Sequence, residues 1–394
     1  MSRATRLGSG SVIGGRASLA IDRHLLAELT AGREVALVSA TNGKTTTTRL
    51  LTAALGTDRP VVSNALGANM PPGHVAALGS SAASTAVLEV DERWLGHVLA
   101  ETRPSTVVLL NLSRDQLDRS HEVRKVAERW REALAAIPPA RVVANAEDPL
   151  VTWAAAVAPE VVWVATGGGW RADAGGCPAC GARLSFPPGG WRCVGCGLIR
   201  PQPHWRLDGD EVVDPDGGRH HLTLALPGRV NRANAAMALA AATAMGADPV
   251  AATCAMGAVH DVAGRYRTVP FAGSRIRLLL AKNPAGWEEA LEMLAPPPNP
   301  VVVAINARVA DGHDPSWLWD VPFEQLRGRF VVATGERRHD LAVRLRYAEV
   351  DHMAACDLAD AVRAAAARAP QDATIDVAAN YTAFQDALTE VDRG

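Results

Sequence analysis

The stretch Val35-Ala-Leu-Val-Ser-Ala-Thr-Asn-Gly-Lys-Thr-Thr-Thr-Thr48 restricts the fold of this chain more than any other. Its apolar run, Val35 to Val38, is bounded by turn formers and predicts a short buried strand. Thr41-Asn42-Gly43 predicts a tight turn, and the spacing of Leu50, Leu51 and Ala54 predicts a helix running on from Thr45. Strand, small-residue turn, Lys, Thr and helix together make a phosphate cradle. Backbone N–H groups at the helix start face the anion, Lys44 adds a point charge, and the Thr45 hydroxyl is placed to ligate Mg²⁺. The strict G-x-x-x-x-G-K-[ST] pattern is not met, because its first glycine falls on Val38. The plain alternative is a strand–helix connection with a surface lysine. The whole context favours a nucleotide site spanning Thr41, Asn42, Gly43, Lys44, Thr45 and Thr46.

Length and composition set the frame for that loop. A chain of 394 residues, 48% hydrophobic and 21% charged, can bury the cores of two or three domains. A net charge of −2 offers no electrostatic argument for nucleic acid or an anionic membrane surface. No apolar run reaches 18 residues, and the first residues lead into Gly and Ser rather than an apolar leader. A cytoplasmic chain is expected. Its abundance of Ala and Arg reads as coding bias.

Four of the six cysteines stand as Cys177-x-x-Cys180 and Cys193-x-x-Cys196, with twelve residues between the pairs. Each pair predicts a knuckle that points two thiolates at one ion, and two knuckles complete a tetrahedral sulfur set suited to Zn²⁺. Gly181 and Gly197 follow the knuckles and serve their turns. With all four positions filled by protein the metal is expected to be structural. The ribbon spans about 167 to 200, with Trp170 and Trp191 as anchors of its small core. Cys254 and Cys356 lie in Ala-rich helical stretches and are expected to be buried.

Further strands alternate with helices. Ala86-Val-Leu-Glu-Val90 ends in acid, and a carboxylate at the carboxyl end of a buried strand beside a phosphate loop is where Mg²⁺ needs a ligand. Glu89 is the expected ligand, with Asp91 and Glu92 as solvated neighbours. Ser63 to Met70, rich in Asn and Gly, either borders an acceptor or is a surface loop. Thr106 to Asn111 and Arg141 to Asn145 add strands, so a doubly wound parallel sheet is expected. Residues 10 to 30 read as a loop and one amphipathic helix, Glu122 to Ile137 as a packing helix, and Trp205 to Leu226 as hairpins. Beyond residue 266, Ile276 to Leu280, Val301 to Ile305, Phe330 to Ala333 and Thr374 to Val377 predict a second α/β domain. Asn306 to Asp320 holds Asp311, Asp314 and Asp320 with Trp317 and Trp319 after a strand end. It reads either as a functional loop or as a capped helix start with both Trp in the core.

T-N-G-K-T-T resembles the ATP loop of the Mur ligases, with Ala40 where that family usually has Gly. The resemblance continues at Asn145-Ala-Glu-Asp-Pro149, at Gly228-Arg-Val-Asn-Arg-Ala-Asn234, at Val262-Ala-Gly-Arg265 and at Ala281-Lys-Asn-Pro284. It implies that Asn231 and Asn234 serve the adenine side of ATP, that Arg265 approaches the γ-phosphate, and that Lys282 and Asn283 belong to the nucleotide site. The chain departs from the Mur pattern at Gln116 and Lys282, each in place of His, and at Leu279, in place of Asp. No N-terminal uridine-nucleotide domain is expected, because the loop already begins near residue 40.

Together with the ribbon, the loop N-x-x-x-A-D-G-x-D-x-S-W-x-W-D resembles the MurT family, the synthetase subunits of lipid II isoglutaminyl synthase. The resemblance implies two domains, 1–265 around ATP and 266–394 carrying the Asp/Trp loop. It implies ATP, Mg²⁺ and structural Zn²⁺, lipid II as substrate, and a GatD-type glutaminase partner. It also implies that one loop aspartate completes the partner's Cys–His triad, here assigned to Asp314 with Asp311 and Asp320 as alternates. The expected reaction is amidation of the D-glutamate α-carboxylate through an acyl phosphate. The rivals are a Mur- or folylpolyglutamate-like ligase that adds an amino acid without a partner, and a non-catalytic ribbon adaptor.

Overall fold

The computed structural model describes residues 10–64, 68–114, 123–168, 171–260 and 266–393, which form two compact units. The first unit lies within 1–113 and 121–260, the second within 114–120 and 261–394.

In the first unit, strands β1 (Glu34–Ser39), β2 (Val61–Ser63), β3 (Thr85–Val90), β4 (Thr106–Leu109), β5 (Arg141–Asn145) and β6 (Val161–Ala165) pair in parallel in the order β6-β5-β4-β1-β3-β2. Strands β7 (Leu184–Ser185) and β8 (Arg192–Cys193) form a separate ribbon, and β9 (Trp205–Asp208) extends the sheet parallel to β6. Strands β10 (Glu211–Val213) and β11 (Arg219–His221) then close that edge as an antiparallel meander. Central strands covered on both faces read as unbroken apolar runs, which is why β1 and β3 do. Ala36 and Val38 of β1 pack beneath the helices Lys44–Leu55 and Arg229–Ala244. Val35 and Leu37 face Leu78, Leu99 and Trp130 on the other side. The alanines of Arg229–Ala244 are a packing device: Ala235, Ala236, Ala238 and Ala240 to Ala242 are buried. The amino-terminal segment forms two helices, Gly10–Ile21 and Leu25–Thr30, rather than a loop and one helix.

The second unit has strands β12 (Tyr266–Phe271), β13 (Ser274–Leu280), β14 (Val301–Ala304), β15 (Val331–Thr334), β16 (His352–Ala354) and β17 (Thr374–Ala379). Their order is β12-β13-β17-β14-β15-β16, parallel except for the β12–β13 hairpin. Strands β12 and β16 carry weak apolar patterns, with mostly exposed or half-buried residues, and sequence periodicity passes over them. Asp376, buried in β17, accepts two bonds from Arg277 at 2.7 and 2.9 Å and one from the Ala295 N–H at 2.7 Å.

Two expected outcomes follow from this packing. Removing one member of a buried pair leaves an uncompensated charge, so Asp376→Ala should cost roughly 3–5 kcal/mol in denaturant unfolding followed by tryptophan fluorescence. His74 lies fully buried behind β3, and its Nε2 is 2.8 Å from the Glu89 carbonyl oxygen. Burial lowers its pKa to about 4, against the pull of that carbonyl. The folded chain therefore disfavours protonated His74, while the unfolded chain takes up the proton near pH 6.5. This contribution to stability is whole above that pH and is lost as the pH falls toward 4. Between about pH 7 and pH 5 the wild type should lose about 2 kcal/mol more than His74→Gln, measured as the shift in urea midpoint.

Candidate nucleotide site and metal centre

Strand β1 delivers the chain into a turn closed by Gly43, whose φ is +86°. Glycine is required there twice over. The left-handed conformation disfavours any side chain, and an added Cβ would lie 2.6 Å from the Asn234 side-chain oxygen. The helix Lys44–Leu55 begins at once, and no side-chain bond caps its N-terminus. Such a terminus presents N–H groups and the positive end of the helix dipole to an anion. Thr46 is buried in the first turn and Thr45 is half-buried.

The turn is held by the segment that leaves β4. The Thr41 N–H donates to the Asn111 carbonyl at 2.9 Å, and the Asn42 N–H donates to the Asn111 side-chain oxygen at 2.9 Å. The Asn111 amide returns a bond to the Asn42 carbonyl at 3.0 Å. The Thr41 hydroxyl donates to the Ser113 carbonyl and accepts from the Ser113 N–H, at 3.2 and 3.0 Å. Asn111 was legible only as a strand end, and its bracketing role needs the β1–β4 register.

Lys44 is folded over the turn. Its ammonium donates to the carbonyls of Ala40 and Thr41 and forms an ion pair with Glu92 at 2.9 Å. Ala40 is fully buried, so its methyl packs inward. The expectation that Asp91 and Glu92 are solvated neighbours is corrected: Glu92 neutralises Lys44, and Asp91 is buried against Arg93 at 3.0 Å. Burial pushes Asp91 up, but the hydrogen bonds from Arg93 outweigh it and hold the carboxyl below the usual range.

Glu89 is buried near the end of β3, paired in register with Val38 of β1. Its backbone is clamped by Asn64, which accepts from the Glu89 N–H at 2.7 Å and donates to the Glu89 carbonyl at 2.8 Å. The Asn69 amide lies 3.5 Å from the carboxylate. The buried Glu89 carboxylate, near the end of β3, and the half-buried Thr45 hydroxyl, in the first turn of the helix after β1, are hard oxygen donors of the kind Mg²⁺ takes. Asn231 and Asn234 are both buried in the first turns of Arg229–Ala244, and Asn231 donates to the Pro227 carbonyl. Arg265, Gln116 and Trp170 lie outside the described residues.

The four ribbon cysteines converge, with their sulfur atoms all within 4.8 Å of one another. The Gly195 and Cys196 N–H groups donate to Cys193 Sγ at 3.2 and 3.4 Å, the knuckle bonds that steady a thiolate. The Gly195 N–H leads in lowering the Cys193 thiol to about 6, whereas burial lifts Cys177 to about 12. Gly181 and Gly197 follow the knuckles at φ of +78° and +77°. Four converging sulfurs with such turns fit tetrahedral Zn²⁺. Trp191 anchors the ribbon core with Leu184 and Ala174. Cys254 and Cys356 are exposed, contrary to the expectation of burial, because both fall on the solvent side of their segments.

In the second unit, Asp314 is exposed and accepts from the Ser316 N–H and hydroxyl at 2.8 and 3.0 Å, capping the short helix Pro315–Trp319. Asp311 is buried and engaged by the Thr382 N–H at 2.9 Å and the Thr382 hydroxyl. Asp320 pairs with Arg114 at 3.4 Å. The two tryptophans divide: Trp317 is buried against Trp287, whereas Trp319 is 54% exposed and meets Tyr347 edge-on at 5.4 Å. Lys282 is exposed above the Tyr381 ring, and Asn283 is buried, accepting from the Gly286 N–H at 2.9 Å.

Comparison with known proteins agrees with this anatomy. The Mur ligase middle domain matches residues 38–170, and the MurT ligase C-terminal domain matches residues 280–384. The lipid II isoglutaminyl synthase (glutamine-hydrolyzing) subunit MurT of Streptococcus pneumoniae is 32% identical over 87% of this chain and 83% of its own. A pseudomurein peptide ligase type C from Methanothermus fervidus has the same fold, with a TM-score of 0.70 at 19% identity over 92% of this chain and 79% of that one. MurF from Acinetobacter baumannii matches with a TM-score of 0.67 at 16% identity over 94% and 79%. These two likenesses are of fold. By the extent and identity of the first match, the chain belongs to the MurT ligase family.

Proposed function

We propose that this chain is the ATP-dependent synthetase subunit of a lipid II isoglutaminyl synthase, working with a GatD-type glutaminase. The observation that carries the reading is the uncapped helix start at Lys44, closed by a left-handed Gly43 and pinned to Asn111. Membership of a Mur ligase family brings ATP and Mg²⁺ with it. In this reading Thr41 to Thr46 hold the phosphates, and Asn231, Asn234 and Arg265 serve the rest of the nucleotide. Thr45 and Glu89 hold Mg²⁺, which offsets phosphate charge when bound.

The chemistry has two displacements. An oxygen of the D-glutamate α-carboxylate attacks the γ-phosphorus of ATP, and ADP leaves with the electron pair of the broken P–O bond. Ammonia then attacks the carbonyl carbon of the acyl phosphate, phosphate leaves, and the nitrogen sheds a proton to give D-isoglutamine. Nothing in this demands a covalent enzyme group, so the chain contributes position and charge. Lys44 must exchange its bond with Glu92 for the phosphates, and Glu92 holds it near the turn until then.

Asp314 and Asp320 are both exposed, but Asp320 pairs with Arg114 whereas Asp314 engages its own cap, which supports assigning Asp314 to the partner's triad. Asp311 is committed to Thr382. A carboxylate that fixes an imidazole tautomer acts on glutamine hydrolysis and on nothing later.

Two variants in the complex test this by mass analysis of lipid II. Lys44→Ala should lose amidation by about 100-fold or more with either glutamine or an ammonium salt as nitrogen source. Asp314→Asn should lose glutamine-driven amidation by roughly 100-fold while keeping the ammonium-driven reaction within about twofold. Wild-type chain that uses a free amino acid without a partner would instead favour a folylpolyglutamate-like ligase. Equal losses from both nitrogen sources in Asp314→Asn would remove that residue from the triad.

A further inference from the structure

The four-cysteine ribbon has a core of its own, Ala174, Cys177, Leu184, Trp191 and Cys193. Two of its side chains nevertheless reach one turn of the sheet. The Trp191 indole N–H, buried, donates to the Ala146 carbonyl at 2.9 Å. Arg200 makes a two-pronged pair with Glu147 at 2.8 and 3.0 Å, and both side chains are more than four-fifths buried. Planar two-pronged pairs fix geometry as well as charge.

Ala146 and Glu147 lie between two residues that grip the segment following β4. Asn145 donates to the Leu110 carbonyl at 2.9 Å. Asp148 accepts from the Leu112 N–H at 2.8 Å, and from the Leu150 and Val151 N–H groups at 2.8 and 3.1 Å. Its carboxylate is turned inward, where burial pushes it up to about 6 despite those three donors. Leu110 and Leu112 flank Asn111, the residue that brackets Thr41 and Asn42. An unbroken path of hydrogen bonds and adjoining backbone thus runs from the ribbon through 145–148 and 110–112 to the phosphate turn.

We infer that the metal-bound ribbon is a buttress for the nucleotide loop. Trp191, Arg200 and Asp148 act as positioning residues that set Asn111 against Thr41 and Asn42. The inference rests on the nucleotide-site reading above. Its consequence is that metal occupancy and nucleotide affinity are coupled, and equilibrium coupling is reciprocal.

The test uses the full chain in complex with its glutaminase, well below its unfolding temperature. It combines zinc content by elemental analysis, ATP binding by calorimetry, and hydrogen exchange. The double variant W191F/R200Q keeps the ribbon's aromatic core and its cysteines. It should retain zinc, bind ATP roughly 5- to 50-fold more weakly, and exchange faster at Thr41, Asn42 and 110–112. Exchange in β2 and β3 should not change, which separates local loosening from general destabilisation. Chelation of zinc from the wild type should give the same local pattern, and saturating ATP should slow the chelator's removal of zinc.

Should W191F/R200Q misfold, the single variant Glu147→Gln answers the same question by cutting only the charged link. ATP affinity within about twofold of wild type, with unchanged exchange at 40–44 and 110–112, in both the zinc-loaded variant and the stripped wild type, would overturn the buttress. If the wild type binds no ATP and resembles Lys44→Ala, the nucleotide reading fails. The exchange pattern then still decides whether the ribbon holds the turn.

Discussion

Strand β1 is buried on both faces and ends where its hydrogen-bonding edge must be handed to something else. Backbone groups taken out of water have to be paired. At the end of β1 the pairing passes from strand to turn through Asn111, whose main chain and side chain take over at Thr41 and Asn42. That hand-over leaves the first N–H groups of the next helix without a side-chain cap. The capacity for an anion follows from the sheet's own need to terminate cleanly.

The same economy recurs at the neighbouring strand ends. Glu89 is fixed through its backbone by Asn64, while its carboxylate meets only the Asn69 amide, at 3.5 Å, among the contacts of the described residues. Asp148 spends its carboxylate on backbone donors and serves position rather than chemistry. Lys44 and Glu92 form a nearly buried pair, which the proposed reading has the lysine exchange for phosphate. Breaking such a pair is tolerable only if the lysine finds equivalent charge, which phosphate oxygens supply.

The second unit separates two kinds of carboxylate by burial. Asp311 and Asp314 sit three residues apart in one loop, yet one is locked to Thr382 and the other is open to solvent. Trp317 and Trp319 divide in the same way: the first fills the core beside Trp287 and the second lies exposed beside Tyr347. A short 3₁₀ helix turns successive side chains by about 120°, so residues two apart point in different directions.

What the sequence determined by itself is the set of local devices whose signal is short-range. The tight turn before Lys44, the two cysteine knuckles and the long apolar strands of both sheets were legible because glycine, thiolate spacing and apolar runs act within a few residues. Weak edge strands such as β12 and β16 were not, since their residues are only partly buried and follow no apolar period. Tertiary structure alone decided that Glu92 meets Lys44, that Asn111 and Asn64 clamp the turn and the acid, and that the ribbon rests on Ala146 and Glu147. Each of these joins residues far apart in the chain, brought together by parallel crossovers whose register no local pattern encodes.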